Sequence, residues 1–186
     1  MSPPEKLVFL DLETMGTLPS SPIVQIGMLV AERVGSTLCP AVAWECLIPY
    51  SERDWAMAHV GAASMHEASG LRARSVEEYR RTRRDQGGRP ALSVASEAAI
   101  EFLGAHGFGQ NQAIIAGNSV GQDRVWLATQ MPRLHSYLHH RMVDVSSFRV
   151  VAGMFRDVPV PPRSHTAVAD CQSALDELNG YMGRFA

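Results

Sequence analysis

Lysine is all but missing from this chain: of its 17 basic residues Lys6 alone is a lysine, and the rest are arginines. A phosphate-binding P-loop needs Gly-Lys-Ser/Thr, and Lys6 follows Glu5, so a Walker-type NTPase is excluded. Cysteine is scarce and odd in number: Cys39, Cys46 and Cys171 form no Cys-x-x-Cys pair. This argues against a cysteine zinc site and points to free thiols in a reducing compartment. No apolar run approaches the ~18 residues of a membrane span. The opening MSPPEKLVFLDLE has no apolar stretch of secretory-signal length before charge intervenes. A soluble, cytoplasmic protein is expected. Charge is also thin, at 19% of residues with a net of −2, which excludes a polybasic chain that grips long duplexes by phosphate neutralisation. A short or metal-held nucleic acid remains compatible.

What the chain does have is material for a core. Hydrophobic residues make up 46% of 186, an ordinary globular share in a length that suits one domain. Strands are predicted over residues 7–11 (LVFLD), 23–32 (IVQIGMLVAE) and 43–48, the last stopped by Pro49. Strands so close in sequence read as a β-meander, with 17–22 as the turn-rich link between the first two. Residues 51–70 are ambiguous. A charged helix is predicted over 77–84, broken by QGGRP at 86–90. A helix over 93–103 carries Val94, Ala98 and Phe102 as its apolar row. AIIA at 113–116 is a buried strand; the turn 117–121 leads into a helix from about 122 to 131, which Pro132 ends. Residues 141–144 form a short strand before a helix from about Ser146, and the proline-rich 157–164 is a loop. The last helix shows a buried stripe of Val168, Cys171, Leu175, Leu178 and Met182. Meander strands followed by alternating strands and helices give an α/β fold with a mixed sheet.

One segment is locally basic. Residues 71–89 carry seven arginines against Glu77, Glu78 and Asp85, a balance of +4 that leaves −6 for the rest of the chain. A solvated helix face and a phosphate-contacting arm are the two readings, the first favoured.

The candidate chemistry lies in carboxylates. In Leu10-Asp11-Leu12-Glu13 the acids alternate with leucines, so on a strand Asp11 and Glu13 share one face. Like charges that close repel unless a cation lies between them. Asp123 falls in the first turn of a predicted helix, where the helix dipole also favours an acid. His165 precedes the final helix, and Asp170 lies five residues on, off the buried stripe. Four carboxylates and one loop histidine suit Mg²⁺, which takes carboxylate oxygen and keeps waters for substrate phosphates. Two such ions ~3.5–4 Å apart stabilise both the attacking and leaving oxygens of a phosphodiester. A histidine is the natural base for the attacking water near neutral pH.

A rival motif is present. Gly117-Asn118-Ser119-Val120-Gly121 is a literal G-x-S-x-G between a strand and a helix, and Asp144 and His165 follow in order. That is the sequence context of a serine-hydrolase elbow. No HGGG-like oxyanion segment precedes Ser119, and the reading leaves Asp11, Glu13, Asp123 and Asp170 without a role.

The run DLETMG from Asp11, then Asp123, then His165 with Asp170, resembles the three motifs of the DEDDh 3′–5′ exonucleases of the ribonuclease H-like superfamily. Within that family AGNSVGQDRVWLATQMPRLHSYLHHRMVDVSS (116–147), MHEASGL (65–71) and HTAVADCQSALDEL (165–178) are most similar to oligoribonuclease. The resemblance implies a single ribonuclease H-like domain in which Asp11, Glu13, Asp123 and Asp170 hold two divalent ions, Mg²⁺ or Mn²⁺, with His165 as general base. It further implies that Ser119, Arg141 and Ser146 hold the terminal 5′ phosphate of a dinucleotide and that Leu18 wedges between bases. It implies a homodimer whose partner tyrosine completes the site, and a short single-stranded oligoribonucleotide as substrate. The chain departs from the pattern in places. His140 stands at the tyrosine position. The first motif reads Glu-Thr-Met-Gly where oligoribonucleases read Glu-Met-Thr-Gly, as in phage-type and ribonuclease T-like enzymes. Residues 72–89 match the family poorly. These departures keep a broader RNA or DNA exonuclease as the runner-up. Ser119 bonding only its turn, Ser146 as a helix N-cap, Arg141 pairing with Asp144 or with an acid of the partner chain, and a structural His139 are the alternatives for the binding residues.

Overall fold

Continuous apolar runs, whose successive side chains turn to opposite faces, build the sheet from its middle. In the computed structural model, which describes residues 5–82, 91–154 and 164–182, strand β1 (Lys6–Thr14) is central. Its Val8, Leu10 and Leu12 enter one core cluster and its Leu7 and Phe9 the other. Strand β2 (Ile23–Val34) pairs antiparallel with β1 and with β3 (Thr37–Leu47), the expected meander. Gly35, at φ +63°, takes the left-handed turn between β2 and β3. Strand β4 (Ile115–Gly117) runs parallel to β1, and β5 (Met142–Asp144) parallel to β4. The order β3-β2-β1-β4-β5 is the mixed α/β sheet expected.

Helices cover both faces. Ala95, Ala99, Phe102 and Leu103 of α4 (Ala91–Ala105), Trp126 and Leu127 of α5 (Val120–Gln130) and Leu134 of α6 (Pro132–Tyr137) pack on Val8, Leu10 and Leu12. Val145 of α7 (Val145–Gly153) and Cys171, Ala174, Leu175 and Leu178 of α8 (Ala167–Met182) pack on Leu7 and Phe9. The end of the meander is closed by α1 (Glu52–Trp55), α2 (Val60–Ala68) and α3 (Leu71–Thr82), where Trp55, Leu71 and Val76 bury Met15 and Val24.

Several boundaries correct the sequence reading. The helix expected from Glu77 begins at Leu71, because buried Leu71, Ser75 and Val76 anchor its first half. On α4 the inward row is Ala95, Ala99 and Phe102, with Val94 41% exposed. Small alanines one position along let the helix approach the sheet while Phe102 and Leu103 fill the space beside it. Pro132 ends α5 and also opens α6, where its missing N–H is harmless. Ser146 does not cap α7: Asp144 does, accepting the Ser146 N–H. In the last helix Val168 and Met182 are only half-buried, and Ala174 and Tyr181 join Cys171, Leu175 and Leu178 inside. The break at 86–90 and all but Ser164 of the loop at 157–164 lie outside the described residues.

Of the basic segment, Arg72 pairs with Glu52 and Glu67, Arg74 with Glu45, Arg80 with Glu77 and Arg81 with Glu78. The favoured reading, a solvated helix face, holds over α3. Cys39, Cys46 and Cys171 are all free thiols. Among the described residues no helix is long and apolar enough to cross a membrane.

Candidate active site

The carboxylates gather where β1 runs out of core. Asp11 and Glu13 continue the side of β1 that carries Leu7 and Phe9, the face on which α8 lies. Asp170 sits in the first turn of α8 and Asp123 in the first turn of α5. Asp123 Oδ1 accepts the Leu12 N–H at 3.2 Å, so α5 is tied to β1 between the two strand acids. All four line one cleft of about 620 Å³, together with His165, Ser119, Asn118, Gln122, Trp126, Met65 and others. Glu13, His165 and Asp170 each offer a ligand atom, and these atoms lie within 4.8 Å of one another, a group able to hold a metal ion. The buried Cys171 thiol reports the same convergence. Burial pushes its pKa well above the usual thiol range, and the charges of Asp11, Asp123 and Asp170 push it the same way.

The sheet sets the position of α8 directly. The fully buried Gln25 of β2 accepts the Ala167 N–H on Oε1 (3.1 Å) and donates from Nε2 to Glu45 (3.0 Å). At the mouth of α8, Asp170 Oδ1 accepts both the Ser164 N–H (2.9 Å) and the Ser164 hydroxyl (3.0 Å). His165 between them has φ +55°, a left-handed conformation that a non-glycine residue adopts at a cost of about 1 kcal/mol. Strain of that kind is held by its surroundings, here the bonds at Ser164 and Gln25.

His66 was not singled out by sequence reasoning, although it lies in the quoted MHEASGL block. It is fully buried, with Nε2 2.8 Å from the Thr14 carbonyl and Nδ1 3.8 Å from Glu13 Oε2. Among the described residues Nδ1 has no hydrogen-bond partner. Burial drives its pKa below the usual histidine range against the Thr14 bond, and His165 adds to the depression. Gln25 was missed too, and its signal was plain: one amide inside the apolar run IVQIGMLV.

No family model matches the chain. It is 30% identical over 185 residues to the oligoribonuclease of Mycobacterium avium (strain 104), covering 95% of this chain and 80% of that protein. It is 31% identical over 187 residues to the oligoribonuclease of Corynebacterium glutamicum (strain R), covering 97% and 80%. The chain belongs to the oligoribonuclease family. It is therefore a 3′–5′ exonuclease of DEDDh type. Its fold is also that of the crystal structure of cell-death related nuclease 4 (CRN-4), with a TM-score of 0.65 at 11% identity over 97% of this chain and 64% of that one.

Against the oligoribonuclease pattern, the remaining expected residues divide. Ser119 lines the cleft, at φ +56°. Its N–H donates to Asp144 Oδ1 (3.1 Å), which also accepts the N–H (3.0 Å) and hydroxyl (2.6 Å) of Ser146. The two serine hydroxyls stand 3.4 Å apart, so Asp144 holds Ser119 and Ser146 as a pair beside the cleft. That oxygen is spent on serines, while His165 clusters with Glu13 and Asp170. The Ser119–Asp144–His165 relay of a serine hydrolase is not assembled. Leu18, His140, Arg141 and Ser146 are outside the cleft lining. Leu18 is 64% exposed on the loop after β1. His140 is exposed and stacks on His139 with ring centroids 4.2 Å apart. His139 Nδ1 accepts the Arg141 N–H (2.9 Å) and its own N–H donates to Ala113 (2.9 Å), so His139 closes the turn into β5.

Proposed function

We propose that the chain removes 3′ nucleotides from short single-stranded oligoribonucleotides, down to dinucleotides, releasing 5′-mononucleotides. The observation that carries the reading is the meeting of Glu13, His165 and Asp170 within 4.8 Å, in a cleft also lined by Asp11 and Asp123. Four carboxylates lining one cleft repel one another, and cations relieve that repulsion. Asp11, Glu13, Asp123 and Asp170 would hold two divalent cations, Mg²⁺ or Mn²⁺. When bound, such ions polarise the phosphodiester oxygens and lower the pKa of water.

The chain's own residues supply the rest. His165, held beside Glu13 and Asp170, takes the proton of the attacking water. Asp123 keeps its place through the Leu12 N–H. Ser119, held beside Ser146 by Asp144, offers its hydroxyl to a terminal 5′ phosphate, which the Ser146 hydroxyl would reach by turning from Asp144, with Arg141 and His140 on the adjoining turn. The exposed Phe148, Val150, Val151 and Met154, on and just after α7, support a homodimer. The substrate is small, so no long basic groove is needed, consistent with the net charge of −2. A cytoplasmic location follows from the same reading.

The test is digestion of 5′-labelled RNA and DNA of about two to twenty nucleotides with Mg²⁺, Mn²⁺ or EDTA. EDTA-sensitive release of 5′-mononucleotides, fastest on diribonucleotides, is expected. Equal rates across lengths would favour the broader exonuclease, for which His140 in place of the family tyrosine is the specific observation. Insensitivity to EDTA would sink both.

A further inference from the structure

Surface links between strands are ordinarily the mobile part of a fold. The link between β1 and β2 is instead bonded across its own width. Met15 donates its N–H to Pro22 (2.9 Å) and Ser21 donates to Leu18 (2.7 Å), while Leu18 donates back to Ser21 Oγ (3.3 Å). A Cβ on Gly16 would stand 2.7 Å from Ser21 Oγ, so little slack remains. From outside, Trp126 Nε1 donates to the Ser21 carbonyl (3.2 Å). Gln130 Nε2 donates to both Pro19 (2.8 Å) and Ser21 (2.7 Å), placing both amide hydrogens. On this braced loop Leu18 is 64% exposed. An apolar side chain held out so firmly adds nothing to the core, but it meets a flat apolar partner with little further ordering to lose.

Both outside donors come from α5, three and seven residues after Asp123, on the same face of the helix. One helix therefore grips β1 through Asp123 and Leu12, and grips the Leu18 loop through Trp126 and Gln130. Resting on the nuclease reading above, the geometry points to Trp126 and Gln130 as positioning residues that fix the Leu18 loop at the edge of the carboxylate cleft, which its Gly16 and Thr17 line, and so govern how nucleobases seat. Gln130 is not part of the cleft lining, so its role is confined to base placement.

The test separates seating from chemistry. Gln130→Met keeps the length of the side chain and removes both donors; Gln130→Lys returns an N–H donor of similar reach. Steady-state kinetics are measured with a 5′-phosphorylated diribonucleotide and with thymidine 5′-p-nitrophenyl phosphate, whose single base cannot straddle Leu18. For Gln130→Met the dinucleotide KM should rise about tenfold, the loss of one to two hydrogen bonds, with kcat held within about twofold. The p-nitrophenyl ester should be cleaved as by the wild type, and Gln130→Lys should recover most of the dinucleotide KM. Trp126→Phe, which keeps an aromatic ring and loses the donor, should raise the dinucleotide KM in the same direction. An unchanged dinucleotide KM in Gln130→Met and Trp126→Phe overturns the assignment, as does an equal loss on both substrates. A wild type that cleaves neither substrate with Mg²⁺ or Mn²⁺ overturns the nuclease reading itself, a result visible before any variant is made.

Discussion

A Cβ built on Gly27 would stand 2.5 Å from the carbonyl carbon of Ala167. Strand β2 and the first turn of α8 thus touch backbone to backbone, and the contact sets how deep His165 and Asp170 sit. The Cys171 thiol, donating to the Gly27 carbonyl at 3.5 Å, and Gln25, capping Ala167, hold the same junction. Gly27→Ala must displace the helix, because the atoms in the way are main chain. We expect a stability loss of about 1–3 kcal/mol in chemical denaturation. Hydrolysis should fall by on the order of a hundredfold, the effect of a shift near 1 Å in a catalytic group. Wild-type kcat in a folded Gly27→Ala protein would show that α8 does not carry the chemistry.

The acidic cluster makes a second, opposite prediction for stability. Asp11 lines the cleft with Asp123, Asp170 and the buried Glu13. Asp11→Asn removes one of the mutually repelling charges, so melting in EDTA should occur at the same temperature or higher. The rise in melting temperature on adding Mg²⁺ or Mn²⁺ should shrink, because a ligand is gone. Turnover should fall on the order of a thousandfold, equivalent to several kcal/mol of lost transition-state stabilisation. A full metal-induced shift in Asp11→Asn would remove Asp11 from the ligand set.

Much of this site was legible in the sequence because its acids sit at points that periodicity marks. Asp11 and Glu13 share a strand face by alternation, and Asp123 and Asp170 fall in first turns that follow readable turns and loops. What local pattern could not show was contact across the sheet. Gln25 reads as an oddity until α8 lands on it, and Gly27 as a weak strand residue until Ala167 stands above it. His66 lies 52 residues from Thr14, and only the packing of α2 on the end of β1 brings them to 2.8 Å. The row on α4 was misplaced by one position because a helix with apolar residues on more than one side takes its orientation from its neighbours. Asp144 both ends β5 and caps α7, so the strand passes directly into the helix and the alternative of Ser146 as cap falls away.

Behind the turn that carries Ser119, a half-buried ion pair makes stability depend on acid. Glu177 accepts from Arg149 Nε (2.7 Å) and a second guanidinium nitrogen (2.6 Å), from Tyr181 (2.8 Å) and from Asn118 (3.2 Å). Burial pushes its carboxyl up, but the bonds from Arg149, Tyr181 and Asn118 outweigh it, and the pKa lies below the usual carboxylate range. A depressed folded-state pKa contributes stability above the unfolded value near 4.3 and loses it as pH falls through the folded value. Arg149→Met leaves a carboxylate with 6% exposure held only by Tyr181 and Asn118 and should cost about 1–3 kcal/mol near neutral pH. The gap between variant and wild type should narrow as pH drops below that range. A pH-independent gap in urea denaturation would mean that Arg149 acts by packing alone.

Ser119 separates the hydrolase reading from the nuclease one, provided the substitution respects its backbone. At φ +56° alanine retains the left-handed strain without the hydroxyl, whereas glycine relieves the strain and keeps the N–H that Asp144 accepts. Ser119→Gly should remain within about 1 kcal/mol of the wild type, with strain relief of about 1 kcal/mol set against a similar backbone-entropy cost. If Ser119 holds a terminal phosphate, Ser119→Gly should raise KM for a 5′-phosphorylated dinucleotide several-fold. EDTA-sensitive hydrolysis of thymidine 5′-p-nitrophenyl phosphate should survive. If Ser119 were a nucleophile, that hydrolysis would vanish and a serine-reactive phosphonate would inactivate the wild type. We expect no inactivation, because Asp144 already bonds Ser119 and Ser146 while His165 stands with Glu13 and Asp170, so no base is aligned on the Ser119 hydroxyl.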